Sequence, residues 1–287
     1  MLECAFARPR QTPVSTKTTP YLVRAWRLTR MLLHVLHGAL ILAVRYPRLT
    51  NPERAVITRA WARKMLDIFG VRLAIRGDNP GFYPANTLLV ANHVSWLDII
   101  ALSGGTVSRF VAKKEIRTWP AIGWMAANGG TLFIDRSNRR DASRVNGQLA
   151  EALEQGGCMS VFPEGTTSDG FGLLPFKSSL FESAVIAGSQ VQPVAIRYLD
   201  ETGALTDKVA FIGEATIAQT LGRLLATRRL TVELVYGQRL QAGAPGLATR
   251  FELSAAAREE ILAALGLKEE RVEAPCDQAA DPALAPN

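Results

Sequence analysis

Within the stretch ANHVSWLDII (residues 91–100), a histidine and an aspartate stand five positions apart in an otherwise apolar run. An imidazole beside a carboxylate pairs a general base with the group that fixes its tautomer and stabilises its charged form. On one continuous helix a five-residue offset would turn the two side chains about 140° apart, at ~100° per residue. They meet only if His93 stands in a loop and Asp98 in the first turn of the helix that follows. The chain holds three histidines, and the other two, His34 and His37, lie in an apolar N-terminal helical pattern. Histidine-based general-base chemistry in the rest of the chain therefore falls to His93. A plainer reading competes for the same residues. SWLD (95–98) is a capping box, which accounts for Ser95 and Asp98 but leaves His93 unexplained.

The chain shows no G-x-S-x-G elbow, no H-E-x-x-H and no second histidine outside the N-terminal pattern that would serve zinc. A base without a protein nucleophile points to direct attack by a substrate hydroxyl, or by water in a hydrolase. Other polar groups follow apolar runs in the same manner as His93. Arg136 follows TLFID (131–135), where a guanidinium could make a bidentate phosphate contact, but SNRR follows with two more arginines and the residues alone favour a solvated loop charge. Pro163, Glu164, Gly165 and Thr166 follow CMSVF (158–162), where the plain alternative is a turn. Lys177, in LLPFKSS, is a further candidate.

The elements that must position these groups are short apolar runs alternating with helical patterns. Strands are expected at 71–76, 87–92, 109–113, 131–135, 158–162, 191–198, 209–213 and 230–237. Helices are expected at 96–102, 119–127, 140–155, 178–188, 215–226 and 249–265, the third ending in LEQGG with glycine where a left-handed cap prefers it. The alternation predicts an α/β fold: a mixed, largely parallel sheet covered by helices. In such sheets functional groups gather in loops beyond the carboxyl ends of strands, which is where His93, Arg136 and Glu164 fall.

At 287 residues the chain is near the upper limit for one core, so one domain with appendages is expected: residues 71–266, preceded by 21–70. Residues 1–20 read as a flexible leader, and 267–287, acidic and rich in Ala and Pro, as a disordered tail. The net charge of +7 implies an anionic partner. The uncharged run Met31–Val44 is flanked by Arg24, Arg27, Arg30, Arg45 and Arg48; it is shorter than the ~20 residues of a spanning helix, but arginines that snorkel at its flanks leave a span open. After Pro52 a second pattern aligns Val56, Ile57, Ala60, Trp61, Met65 and Ile68, beside Arg54, Arg59, Arg63 and Lys64. Two basic, apolar helices in tandem predict a two-helix membrane-binding motif lying in one leaflet; an ordinary buried hairpin is the alternative. Nucleic acid is not expected, because the basic residues flank apolar helices without an aromatic-stacking pattern. Cys4, Cys158 and Cys276 are odd in number and lack metal-ligand spacing, which fits a reduced setting.

NHVSWLD (92–98) resembles the N-H-x-x-x-x-D block of the glycerolipid acyltransferases, the family of 1-acylglycerol-3-phosphate acyltransferase. GTLFIDR (130–136), FPEGT (162–166) and VQPVAI (191–196) resemble that family's second, third and fourth blocks, in family order, within a likeness covering roughly Tyr21 to Leu240. The resemblance implies that His93 deprotonates a lysolipid hydroxyl as it attacks an acyl thioester, with Asp98 orienting the ring. It implies acceptor binding by Arg136, Glu164, Gly165 and Thr166. It also implies a basic residue at Lys113 or Lys114 to meet phosphate, where a surface lysine pair is the alternative. No cofactor or metal is implied; the donor is acyl-CoA or acyl carrier protein, at the cytoplasmic face of the cell membrane. Many family members carry arginine directly after E-G-T, whereas this chain has Thr167, with Asp169 nearby. That departure keeps lyso-ornithine lipid open as acceptor beside 1-acyl-sn-glycerol-3-phosphate. A non-catalytic lipid-binding protein and a thioester hydrolase are the rival readings.

Overall fold

The computed structural model describes residues 18–135 and 139–267. Arg136, the expected leader up to residue 17 and the expected tail from residue 268 lie outside the described residues.

Helices α1 (Tyr21–Val44) and α2 (Asn51–Phe69) lead into β1 (Val71–Gly77). Then come β2 (Thr87–Ala91), α3 (Leu97–Gly105), β3 (Arg109–Lys113), α4 (Ile122–Asn128), β4 (Leu132–Ile134), α5 (Arg139–Glu154) and β5 (Cys158–Val161). The chain continues through α6 (Glu182–Ile186), β6 (Gln190–Leu199), α7 (Ile217–Ala226), β7 (Leu230–Tyr236), β8 (Leu240–Gln241) and α8 (Arg250–Leu265). The strands form one sheet in the order β1-β7-β6-β2-β5-β3-β4, with β8 paired to β6. From β6 to β4 every neighbouring pair is parallel, while β7 and β8 run antiparallel to β6. The mixed, largely parallel sheet expected from the sequence is present.

Strand alternation decides the layers. On β2, Leu89 and Ala91 face a cluster with Met65, Leu66 and Phe69 of α2, Leu97, Ala101 and Leu102 of α3, and Leu224 of α7. Leu88 and Val90 face the opposite cluster, with Val145, Leu149 and Leu153 of α5 and Leu253, Ala257 and Ile261 of α8. Because β2 is buried on both faces, its run TLLVA is apolar without alternation, as a central parallel strand requires. The LEQGG cap forms as expected: Gly156 takes φ 79°, and the Gly156 and Gly157 N–H groups donate to Leu153 and Ala152 carbonyls.

Two expectations need correction. Residues 209–213 form no strand. Val209 and Ala210 are buried, but their backbone joins no ladder: beyond Val194, where β2 ends, the edge of β6 is taken by the Asn92 side chain at Ile196 and by Leu205 and Thr206 at Leu199 and Tyr198. The segment instead crosses the carboxyl edge, where the Phe211 N–H donates to the Val94 carbonyl at 2.9 Å. The buried face of α2 is Ala55, Ala62, Met65, Leu66, Ile68 and Phe69, so Val56 of the expected stripe is exposed. Of the two helices expected against lipid, only α1 leaves a long apolar face uncovered, with Leu22, Trp26, Leu33, Leu36 and Leu40 each at least 60 % exposed. The other face of α1 is docked. His34 stacks on Trp61 of α2 at 5.0 Å, and Trp61 donates to the His34 carbonyl at 3.0 Å. Arg27 donates to the Thr227 carbonyl at 2.8 Å, just past α7.

Candidate active site

His93 stands two residues beyond β2, and Asn92 explains how the chain is held there. Its buried side-chain amide donates to the Ile196 carbonyl at 3.0 Å and accepts from the Ile196 N–H at 2.7 Å. The side chain thus continues the pairing of β2 with β6 after the backbone has left the ladder. The His93 N–H donates to Glu164 Oε1 at 2.7 Å, and its carbonyl accepts from the Ser168 N–H at 2.8 Å. The ring stacks on Phe162 with centroids 3.9 Å apart and an interplanar angle of 12°.

The ring's Nδ1 lies 2.8 Å from Asp98 Oδ2. That oxygen also accepts from the backbone N–H groups of Val94 (2.8 Å) and Ser95 (2.9 Å). An ionised carboxylate only accepts, so Nδ1 is the protonated nitrogen and Nε2 carries the lone pair. Among the described residues no hydrogen bond reaches Nε2, and the His93 side chain is 20 % exposed while Asp98 is fully buried. The capping box is half present: Asp98 accepts from Ser95, while the Ser95 hydroxyl meets the Leu97 N–H at 3.4 Å and not that of Asp98. Helix capping and base orientation are therefore performed by one carboxylate at once, and the two readings of SWLD do not exclude each other.

Glu164 lies within the site but beneath its surface. Its oxygens accept from the His93 N–H and, at 2.9 Å, the Leu174 N–H, so it joins the end of β2 to the loop after β5. Burial pushes its carboxyl up to about 7, against the pull of those two N–H groups. Gly165 takes φ 74°, which favours glycine at this turn, and the end of the Lys177 side chain lies over it, 2.6 Å from where a Cβ would stand. Thr166 is exposed at the tip. The Thr167 hydroxyl donates to the Phe211 carbonyl, and Asp169 Oδ1 accepts from the Phe171 N–H at 3.0 Å.

Lys113 is exposed at the carboxyl end of β3, two strands from β2 and hence roughly 10 Å across the sheet. Lys114 forms an ion pair with Asp135, just past β4, so its charge is already partnered. The structure thus brings His93, Asp98, Glu164, Gly165 and Thr166 together and sets Lys113 and Lys114 along the same edge. Sequence reasoning missed Phe162 and Asn92 as the groups that hold the histidine. Both belong to the quoted blocks, but neither titrates, so neither attracted a chemical reading.

Residues 77–197, which contain His93, Asp98, Glu164, Gly165 and Thr166, match the model of the family described as Acyltransferase. The chain is 45% identical over 152 residues to a 1-acyl-sn-glycerol-3-phosphate acyltransferase of Neisseria gonorrhoeae, covering 53% of this chain and 59% of that protein. It is 39% identical over 184 residues to a lyso-ornithine lipid O-acyltransferase of Pseudomonas aeruginosa, covering 64% of this chain and 69% of that protein. The crystal structure of the 1-acyl-sn-glycerophosphate acyltransferase PlsC from Thermotoga maritima superposes with a TM-score of 0.63 at 18% identity. That match covers 85% of this chain and 95% of the other, and it establishes a shared fold. The match to the Neisseria protein spans less than two thirds of its length.

Proposed function

The chain belongs to the acyltransferase family, and from that premise we propose that it moves a fatty acyl group from a thioester to the free hydroxyl of a lysolipid. The observation that carries this reading is the His93–Asp98 pair, with Nε2 unbonded at the carboxyl edge of the sheet. The acceptor hydroxyl gives its proton to Nε2 as its oxygen attacks the thioester carbonyl. The tetrahedral intermediate then collapses, the carbon–sulfur bond breaks, and the proton on Nε2 passes to the departing thiolate. Ester and free thiol result, and His93 returns to its neutral tautomer. Asp98 carries no proton in this cycle; it holds the ring and offsets the imidazolium charge. Holding both substrates together supplies much of the rate, since no acyl-enzyme is formed.

The donor is acyl-CoA or acyl carrier protein, whose acidity suits a chain of charge +7, although the same charge also suits an anionic lipid surface. The acceptor is 1-acyl-sn-glycerol-3-phosphate, with Lys113, Lys177 and Arg136 as the cations for its phosphate. One observation favours lyso-ornithine lipid as a second reading: Thr167 carries no charge and binds Phe211, so this position offers a phosphate nothing. α1 rests on the cytoplasmic face of the cell membrane through its uncovered apolar side.

The test is one acceptor panel with one labelled palmitoyl thioester: 1-acyl-sn-glycerol-3-phosphate, other lysophospholipids and lyso-ornithine lipid. Label is expected in phosphatidate, and purified His93→Ala should transfer at least a thousandfold more slowly. Near-normal turnover by that variant overturns the mechanism. Transfer to lyso-ornithine lipid alone moves the acceptor to the second reading. Fatty acid released equally with and without acceptor makes the protein a hydrolase.

A further inference from the structure

Asp98 has two carboxylate oxygens, and the mechanism above uses only one of them. Oδ2 receives three donors from its own neighbourhood: His93 Nδ1 and the N–H groups of Val94 and Ser95. Oδ1 faces away from them, into the sheet, where it accepts from the Tyr198 hydroxyl at 2.6 Å. Both partners of this bond are buried, Tyr198 at 2% exposure and Asp98 at 0%. Tyr198 arrives there by register. Asn92 fixes Ile196 of β6 beside the end of β2, and Tyr198, two residues further, projects from the same face of the strand beneath the first turn of α3. The tyrosine is 100 positions from Asp98 in sequence and belongs to none of the four resembled blocks.

We propose that Tyr198 is a positioning residue that sets the orientation and basicity of His93 by holding Asp98 Oδ1. The proposal rests on His93 being the base. With the phenol in place the carboxylate cannot rotate about its Cβ–Cγ bond without abandoning a buried acceptor, so the plane that orients the imidazole is fixed. The phenol also draws part of the carboxylate charge away from the ring. Without it, Asp98 holds the imidazolium more tightly, and His93 gives up its proton at higher pH. Burial and the adjoining carboxylate keep the Tyr198 proton on its oxygen, so the bond has one polarity at every working pH.

Other charged groups lie close enough to be considered. Glu164 binds the His93 N–H with Arg258 near it, and Lys177 lies over Gly165. Arg197 and Glu233, beside Tyr198 on β6 and β7, pair with each other at 3.4 Å. All of these are unchanged by a substitution at Tyr198, so a difference between two pH profiles isolates the phenol.

The experiment measures kcat and KM from pH 5 to 9 for wild type and Tyr198→Phe, with palmitoyl-CoA and whichever lysolipid the panel selects. The expected result is a kcat about tenfold lower, KM within twofold, and an acid limb displaced upward by about half to one pH unit. A lower melting temperature with kcat and the acid limb unmoved overturns the proposal and leaves Tyr198 as a core residue. Should Tyr198→Phe not fold, site-specific 3-fluorotyrosine at position 198 keeps the shape and sharpens the donor. The acid limb should then move downward; an unmoved limb likewise overturns the proposal. His93→Ala separates the two readings. An active His93→Ala removes the base itself, whereas an inactive one beside an unaltered Tyr198→Phe removes only this inference.

Discussion

Asp98→Asn tests the residue scale because it changes charge and donor pattern while keeping volume. Four donors converge on the Asp98 carboxylate, from His93, Val94, Ser95 and Tyr198. An asparagine must aim its amide NH2 at one or more of them. If its oxygen keeps the backbone N–H groups, the amide hydrogens oppose Tyr198; if it flips, they oppose His93 and select the wrong tautomer. Turnover is therefore expected to fall by about three orders of magnitude, with thioester binding retained and the melting temperature lower. Comparing kcat with donor affinity checks this, and a loss confined to KM would contradict it. The His93–Asp98 pair was legible in the sequence because both partners lie within one loop-to-helix turn, where spacing constrains geometry. Tyr198 was not legible as a partner: in VQPVAIRY it reads as one more strand residue, and only the β2–β6 register brings it to Asp98.

At the scale of elements, Glu164 is the tie between the end of β2 and the loop after β5, and its buried carboxyl makes that tie depend on pH. Its folded value, about 7, lies above the ordinary 4.5, so the folded state binds a proton more tightly than the unfolded chain. Stability from this group is fully present below about pH 4.5 and is lost as pH rises through 7. The loss amounts to about 3 kcal/mol. Denaturant midpoints at pH 5 and 8 should show wild type losing stability relative to Glu164→Gln, whose side chain does not titrate. Parallel curves would place the titration of Glu164 outside this range. The elements themselves were readable wherever period and burial agree, as in β2, β6, β7 and α8. Reading failed where tertiary position overrode local pattern. VAFIG (209–213) has strand composition, but the edge of β6 beyond Val194 is already taken by Asn92, Leu205 and Thr206; and α2 shares only Met65 and Ile68 with the expected stripe, its buried face turning to Ala55, Ala62, Leu66 and Phe69.

At the scale of the whole molecule, the question is where α1 lies. At 24 residues it is about 36 Å long, so length and composition alone would suit a membrane crossing. Its contacts argue otherwise. Arg27 is fastened beside α7, His34 is stacked on Trp61, and Gly38 abuts the Trp61 indole so closely that a Cβ would meet it at 2.5 Å. A helix held along one side by the globular domain cannot cross a bilayer without drawing that domain in, whereas it can lie along the surface with its free side in lipid. Part of the basic charge that suggested lipid serves the protein itself: Arg59 and Arg63 of α2 donate to the Gly104 carbonyl at the end of α3. On the proposed reading of α1 as a surface-bound helix, its uncovered side chains supply most of the lipid affinity. Leu33 and Leu36 are 61% and 67% exposed, so replacing both with glutamate removes no protein contact of consequence. Each leucine withdrawn from lipid forfeits about 1.5–3 kcal/mol. Binding of Leu33→Glu/Leu36→Glu to vesicles of phosphatidylglycerol and phosphatidylethanolamine should weaken about a hundredfold or more, with the melting temperature unchanged. Turnover on a micellar acceptor should survive, because the His93 site lies on the domain and not on α1. Sedimentation with vesicles, read beside that micellar assay, tests the arrangement. Undiminished vesicle binding by the double variant would show that lipid is held elsewhere.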